Sequence, residues 1–283
     1  MRARLLAFVF RHPRVCRGAL RVFSRVIPHR WLICEIVSRC GGRIPSSFRL
    51  GNGMKIRGFL GDMVCYHIAV NGWYEPEMID ALRRTLTPET VFFDVGAHIG
   101  QYSLMAAEFC REVHAFEANY PTAEALRRNI TSNGLANATI NQRAVCDYVG
   151  TATFHESSAD NPGASSLYGQ GRSVEVRTIT LDSYCANLAL DNKPIVLKID
   201  VEGAELSVLR GAESLLARGN VIIFAEVIDS LQRRAGSSCN EVLAYLRQHG
   251  YNVNWFDDKN IVATVPSLTH QFRAGWRQPC VST

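Results

Sequence analysis

No stretch of this chain reaches the roughly 18 consecutive apolar residues that a membrane-spanning helix needs, which argues against an integral membrane protein. Its nine cysteines contain no C-x-x-C pair. An odd count without metal-ligand spacing reads as reduced thiols, against a disulfide framework or a zinc site. Internal repeats and low-complexity tracts are absent. The opening residues, Met1 to Arg4 followed by an apolar run to Phe10, look like the start of a signal peptide. Arg11-His12-Pro13-Arg14 cuts that run short, so secretion is not expected and the cytoplasm is. Lysine is scarce, four residues against 27 arginines.

Acids are missing from residues 1–34, which carry eight arginines. Removing those eight from the net charge of +5 leaves −3 for the rest of the chain. A mildly acidic body with a basic arm does not look like a nucleic-acid binder. Within residues 1–45, Arg14, Arg17, Arg21 and Arg25 share one face of a helix, with Leu20, Phe23 and Ile27 opposite. Such an arm either packs on its own domain or docks peripherally on the inner face of an anionic membrane. The oligomeric state is not readable from these features.

Residues 46–90 read as a hairpin around Asn52-Gly53, then a helix over 73–86. From residue 91 to 265 strands alternate with helices. Strands are expected at 91–95, 113–116, 138–145, 195–199 and 221–227. Helices are expected at 101–110, 122–132, 181–188, 204–217 and 240–249. Two further strands, 151–155 and 173–178, flank a polar loop at 157–172. Strands at 251–256 and 261–265 should close an antiparallel hairpin, and 266–283 forms a tail. This pattern predicts an α/β fold with a mostly parallel sheet covered on both faces.

Three motifs carry chemistry. Asp94-Val95-Gly96-Ala97-His98-Ile99-Gly100 runs from an apolar strand through a glycine-bearing turn into a helix. In open α/β sheets, ligands sit at such carboxyl ends, where strand order reverses. Glu117 ends the next strand, 21 residues after Gly96, where an acid can accept ribose hydroxyls. The turn departs from the dinucleotide G-x-G-x-x-G pattern, with His98 at the middle glycine. Asp94 adds a carboxylate where a pyrophosphate would lie. A cationic, phosphate-free nucleoside such as S-adenosylmethionine suits this better. In the third motif, Asp200 ends a strand, with Glu202 and Glu205 in the turn that follows. Glu202 and Glu205 also fit the favourable end of a helix dipole, and Lys198 either pairs with a carboxylate or snorkels.

The stretches YEPE at 74–77, DVGAHIG at 94–100, AFEA at 115–118, AVCD at 144–147 and LKIDVEGAELSVLRGA at 197–212 resemble the FkbM family of methyltransferases. The resemblance runs in order over about residues 70–265. It implies a Rossmann-like class I methyltransferase fold with a seven-stranded sheet and S-adenosyl-L-methionine as cofactor. It implies that Asp94, Gly96, Ala97 and Gly100 surround the amino-acid part of the cofactor, with Glu117 on the ribose. Ala144 and Asp147 would lie near the adenine, Glu75 would reach in from the preceding helix, and Asp200 would stand near the methyl group. His98 stands where the family commonly has Asn, and Ala118-Asn119-Tyr120 replaces a more proline-rich turn.

Methyl transfer from a sulfonium to a neutral alcohol requires in-line placement and removal of the hydroxyl proton. Asp200 is the expected base, with His98 and His155 as alternatives. Glu202 and Glu226 are expected to line the acceptor pocket. Nothing in the spacing calls for a metal, although oxygens from Asp200, Glu202 and Glu226 would suit Mg²⁺. The expected acceptor is a hydroxyl of a sugar, glycan or polyketide-type metabolite, with the 157–172 loop setting specificity. The competing readings are an NAD-dependent oxidoreductase, a non-catalytic adenosine-nucleotide-binding protein, and a membrane-docked interaction protein.

Overall fold

The computed structural model describes residues 44–268, apart from 61 and 158–161. The basic arm falls almost wholly outside the described residues, as does the tail from 269 onward.

The hairpin forms as expected: β1 (Ile44–Arg49) pairs antiparallel with β2 (Lys55–Leu60). Two helices follow where the sequence suggests one, α1 (Met63–Asn71) and α2 (Pro76–Thr85). Asp62 starts α1 by accepting the Cys65 amide at 2.8 Å. Buried residues surround α1 on most sides, so no polar stripe marks it in the sequence.

The alternating part contains β3 (Val91–Val95), α3 (Gln101–Ala106), β4 (Glu112–Phe116), α4 (Tyr120–Ser132) and β5 (Ala138–Asn141). The chain then builds a small second sheet from β6 (Ala144–Val145), β7 (Gly150–Glu156) and β8 (Arg172–Ile179). It returns through α5 (Leu181–Cys185), β9 (Ile195–Ile199), α6 (Glu205–Arg210), α7 (Glu213–Leu216) and β10 (Val221–Glu226). It ends with α8 (Asp229–Arg234), α9 (Cys239–Gln248), β11 (Asn252–Trp255) and β12 (Asn260–Thr264).

The large sheet has seven strands in the order β11-β12-β10-β9-β3-β4-β5. β10, β9, β3, β4 and β5 run parallel, and β12 inserts antiparallel between β10 and β11. The order reverses between β3 and β9, which opens a crevice at their carboxyl ends. Every residue of β3, β9 and β10 is buried, as expected for strands covered on both faces. Alternate residues feed two cores. Phe92, Val196 and Phe224 pack toward the hairpin and α1 to α4, while Phe93, Leu197 and Ile223 pack toward α6, α7 and α9.

Two expectations are corrected. The strand predicted over 138–145 stops at Asn141, where the Arg143 amide turns back onto the Asn141 carbonyl. Ala144 and Val145 then join β8 instead. The helix predicted over 204–217 breaks at Gly211-Ala212. A Cβ on Gly211 would lie 2.1 Å from the Cys146 carbonyl oxygen, and Asp182 caps the restarted helix through the Ser214 and Leu215 amides, both at 2.9 Å.

Candidate active site

The turn after β3 is shaped by three left-handed residues, Gly96 (φ 87°), His98 (φ 51°) and Gly100 (φ 97°). The Gly96 and Ala97 amides both donate to the Phe116 carbonyl at the end of β4, at 3.0 and 2.9 Å. A Cβ on Gly96 would lie 1.8 Å from the Asp200 carbonyl oxygen, so only glycine lets β3 and β9 approach here. Glu117 closes the turn. Its carboxylate accepts the His98 amide at 2.9 Å and the Asn119 amide at 2.8 Å. Asn119 in turn caps α4 by accepting the Thr122 amide, so the residue that replaces the proline-rich turn serves as a helix start.

A cavity opens at the crevice. It is lined by Gly96, Ala97, His98, Phe116, Glu117 and Ala144 on one side, and by Asp200, Glu202 and Glu226 on the other. Phe154 and Leu167 wall it from the small sheet and its loop, and Tyr74 and Tyr102 from the helices before and after β3. Thus six residues expected at the site from the turn, the ribose position and the acceptor pocket meet at one crevice, together with Ala144 and Asp200.

The other expected residues sit around the lining. Asp94 is buried beneath the turn and accepts the Ser103 hydroxyl at 2.5 Å. Burial pushes its carboxyl up to about 6, with the Ser103 bond and the Lys198 charge pulling back. Gly100 caps α3 against Leu126. Glu75 lies behind Tyr74 and accepts the Tyr102 hydroxyl at 2.6 Å. Asp147 is exposed and does not line the cavity; its carboxylate accepts the Ser207 hydroxyl at 2.9 Å. His155 also stands off the cavity, on β7, with Nδ1 3.4 Å from the Ser173 hydroxyl. Glu205 braces the turn after β9 by accepting the Val201 and Gly203 amides, each at 3.2 Å, and the Gln232 amide.

Charge concentrates at the β9 and β10 end. Lys198, fully buried, places Nζ 3.1 Å from Asp200 Oδ2 and 5.2 Å from the centre of the Tyr102 ring. Lys259, from the β11–β12 turn, bonds Glu226 Oε1 at 2.6 Å and pairs with Glu75. Burial alone would raise Asp200, but the Lys198 charge and hydrogen bond outweigh it and hold the carboxyl below its ordinary range. Burial and the Asp200 charge push Glu226 up to about 7, against the pull of Lys259. Burial would lower Lys259, yet the charges of Glu226 and Glu75 hold it well above the ordinary amine range. Oxygens of Asp200, Glu202 and Glu226 lie within 4.8 Å of one another. Asp200 and Glu226 already have ammonium partners, and the cluster by itself assigns no ion.

Sequence reasoning missed Lys259, Tyr74, Tyr102 and Arg143. One signal was available for Lys259: two of the four lysines in this arginine-rich chain, Lys198 and Lys259, stand here. Arg143 lines the cavity beside Ala144, inside a stretch expected to be strand.

The strand order and the reversal at β3 and β9 are those of a Rossmann-like class I methyltransferase fold. The family model described as "Methyltransferase FkbM domain" matches residues 94–253, more than half the chain, and the chain belongs to that family. Hexuronic acid methyltransferase AglP of Haloferax volcanii is 30% identical over 150 residues, covering 53% of this chain and 61% of its own length. The 31-O-demethyl-FK506 methyltransferase FkbM of Streptomyces tacrolimicus is 30% identical over 201 residues, covering 59% of this chain and 75% of its own. Among solved structures, Methyltransferase FkbM from Methylobacillus flagellatus aligns with a TM-score of 0.41 at 16% identity, covering 89% of this chain and 62% of that one.

S-adenosyl-L-methionine is the cofactor of this family, and the residues present fit it. The glycine turn lets the backbone approach a ligand, and the Glu117 carboxylate at its edge is where ribose hydroxyls would be accepted. Carboxylates, not a phosphate cradle, face the far end, which complements a sulfonium and an ammonium. The His98 side chain lines the cavity where a dinucleotide would need the middle glycine. Among the described residues, no helix is long and apolar enough to cross a membrane.

Proposed function

We propose that this chain transfers the methyl group of S-adenosyl-L-methionine to a hydroxyl oxygen of a sugar or related natural-product acceptor. The observation that carries this reading is the single crevice with a nucleoside end at Glu117 and a carboxylate-lined end at Asp200 and Glu226. One of the two relatives is named for a hexuronic acid, the other for 31-O-demethyl-FK506. Both names describe acceptors of the sugar or natural-product kind, which agrees with a chain whose residues after 34 sum to a net charge of −3. The acceptor is then a small molecule or glycan and not a nucleic acid.

The cofactor supplies an already activated methyl group. The protein therefore contributes binding, alignment and charge. Glu117 accepts the ribose hydroxyls, while Ala144, Phe154 and Leu167 form an apolar seat for the base. Tyr74 and Tyr102 exclude water from the acceptor end. Asp200, held ionised by Lys198, provides a fixed negative charge close to where the cationic sulfur is expected. Orientation of this kind accounts for several kcal/mol of barrier.

Calorimetric titration with S-adenosylhomocysteine, and with NAD in parallel, tests the cofactor. Binding of the first alone supports the reading, and binding of NAD alone overturns it. Labelled methyl transfer to 4-nitrophenyl glucoside, rhamnoside and glucuronide tests the acceptor class.

A further inference from the structure

Of the three carboxylates at the acceptor end, two are already engaged. Asp200 receives Lys198 at 3.1 Å and Glu226 receives Lys259 at 2.6 Å. Glu202 lines the same cavity, and among the described residues its carboxylate has no hydrogen bond or ion pair. The turn that carries it is fixed. Glu202 has a left-handed φ of 55°, Gly203 follows at 108°, and Glu205 ties down the amides on either side. A Cβ on Gly203 would lie 2.8 Å from the Leu231 carbonyl, so α8 buttresses the turn from behind.

We infer that Glu202, and not Asp200, takes the proton from the acceptor hydroxyl, an assignment that rests on the methyl-transfer reading above. Glu202 accepts the hydroxyl proton on a carboxylate oxygen as the acceptor oxygen forms its bond to the methyl carbon. The methyl–sulfur bond breaks and its electron pair stays on sulfur. The negative charge on Glu202 and the positive charge on sulfur disappear together. Asp200 is unsuited to this task because a buried ammonium holds its proton affinity down.

The groups that face Glu202 are Asp200 from β9, Glu205 from α6, Glu226 from β10 and Lys259 from the β11–β12 turn. Burial, then the three negative charges, push Glu202 up to about 8 against the pull of Lys259. A base of that strength matches proton transfer near neutral pH.

The test compares S-adenosylmethionine with S-adenosylhomocysteine by calorimetry on wild type, Glu202→Gln and Asp200→Asn. In wild type the preference for the cationic ligand should rise about tenfold from about pH 6.5 to about pH 9, as Glu202 ionises. The part of the rise centred at about pH 8 should vanish in Glu202→Gln and persist in Asp200→Asn, while a part centred at about pH 7, from Glu226, is common to all three proteins. With a methylated glycoside from the panel above, Glu202→Gln should lower kcat roughly 10²- to 10⁴-fold and remove the acidic limb of the pH profile. Its KM for the cofactor should change little near about pH 6.5, where Glu202 is protonated in wild type. A flat preference in wild type overturns the assignment, as does loss of the limb in Asp200→Asn alone. If wild type binds neither compound, the methyl-transfer reading itself fails; if it binds both without the pH-dependent preference, only the role of Glu202 fails.

Discussion

Gly96 and Glu117 do different work within a few ångströms of each other. At Gly96 a side chain would collide with the Asp200 carbonyl, 1.8 Å away, in a backbone conformation that already disfavours one. Gly96→Ala is expected to cost about 3 kcal/mol or more in chemical denaturation, because two central strands must separate. A loss under about 1 kcal/mol would contradict the close approach. Glu117 bonds two backbone amides and has lone pairs to spare for ribose hydroxyls. Glu117→Ala should weaken S-adenosylhomocysteine binding roughly 10- to 100-fold, the scale of one or two charge-assisted hydrogen bonds. Unchanged affinity by calorimetry would remove Glu117 from the ribose site. Lys198 was legible because its partner Asp200 lies two residues on, whereas Lys259 was hard to read from sequence for a physical reason. A lone lysine inside a turn has no periodicity, and its partners Glu75 and Glu226 come from distant segments. Lysine suits both places, since a compact ammonium acts as a point charge where a planar guanidinium would need more room.

Among the elements, strands covered on both faces were legible because continuous apolar runs such as those of β3, β9 and β10 leave little choice. The glycine turn and the acid after β4 were legible because their chemistry sits in one short segment. What was lost lies where tertiary contact overrides local pattern. α1 has no polar face, and α8 spans only Asp229–Arg234. The break at Gly211 exists because the Cys146 carbonyl needs that space, and the departure of β6 from the main sheet depends on β8, about 30 residues later. Asp147 was expected at the adenine, yet the same departure carries it past the cavity to Ser207. Asp182 links the two halves of the broken helix to α5. Asp182→Ala should lower stability by about 1 kcal/mol, the usual worth of an N-terminal cap, and this is readable as a shifted denaturant midpoint. No shift would mean the Ser214 and Leu215 amides find water as readily as the carboxylate.

For the whole molecule, the buried carboxylates set a pH dependence. Asp94 at about 6, Glu205 and Glu226 at about 7, and Glu202 at about 8 all lie above their ordinary values. The folded chain therefore holds more protons than the unfolded chain through this range. Their contribution to stability is complete below the unfolded values, near pH 4, and is lost as pH rises through the folded ones. Asp200 and Glu112, held below their ordinary values, act the other way, but only in more acidic solution. His114, lowered chiefly by burial, also opposes the trend below its ordinary value of 6.5. The ligand-free protein should thus unfold at lower denaturant near pH 8 than near pH 6, and equal midpoints would contradict the four raised carboxyls. The tie between Lys259 and Glu75 has a different consequence. It joins the final hairpin to a residue 184 positions earlier. On a ribosome the nucleoside seat, made by residues up to about 167, emerges first, while the clamp over the acceptor waits for the end of synthesis. The ammonium that neutralises Glu75 and Glu226 is therefore the last part of the crevice to leave the ribosome.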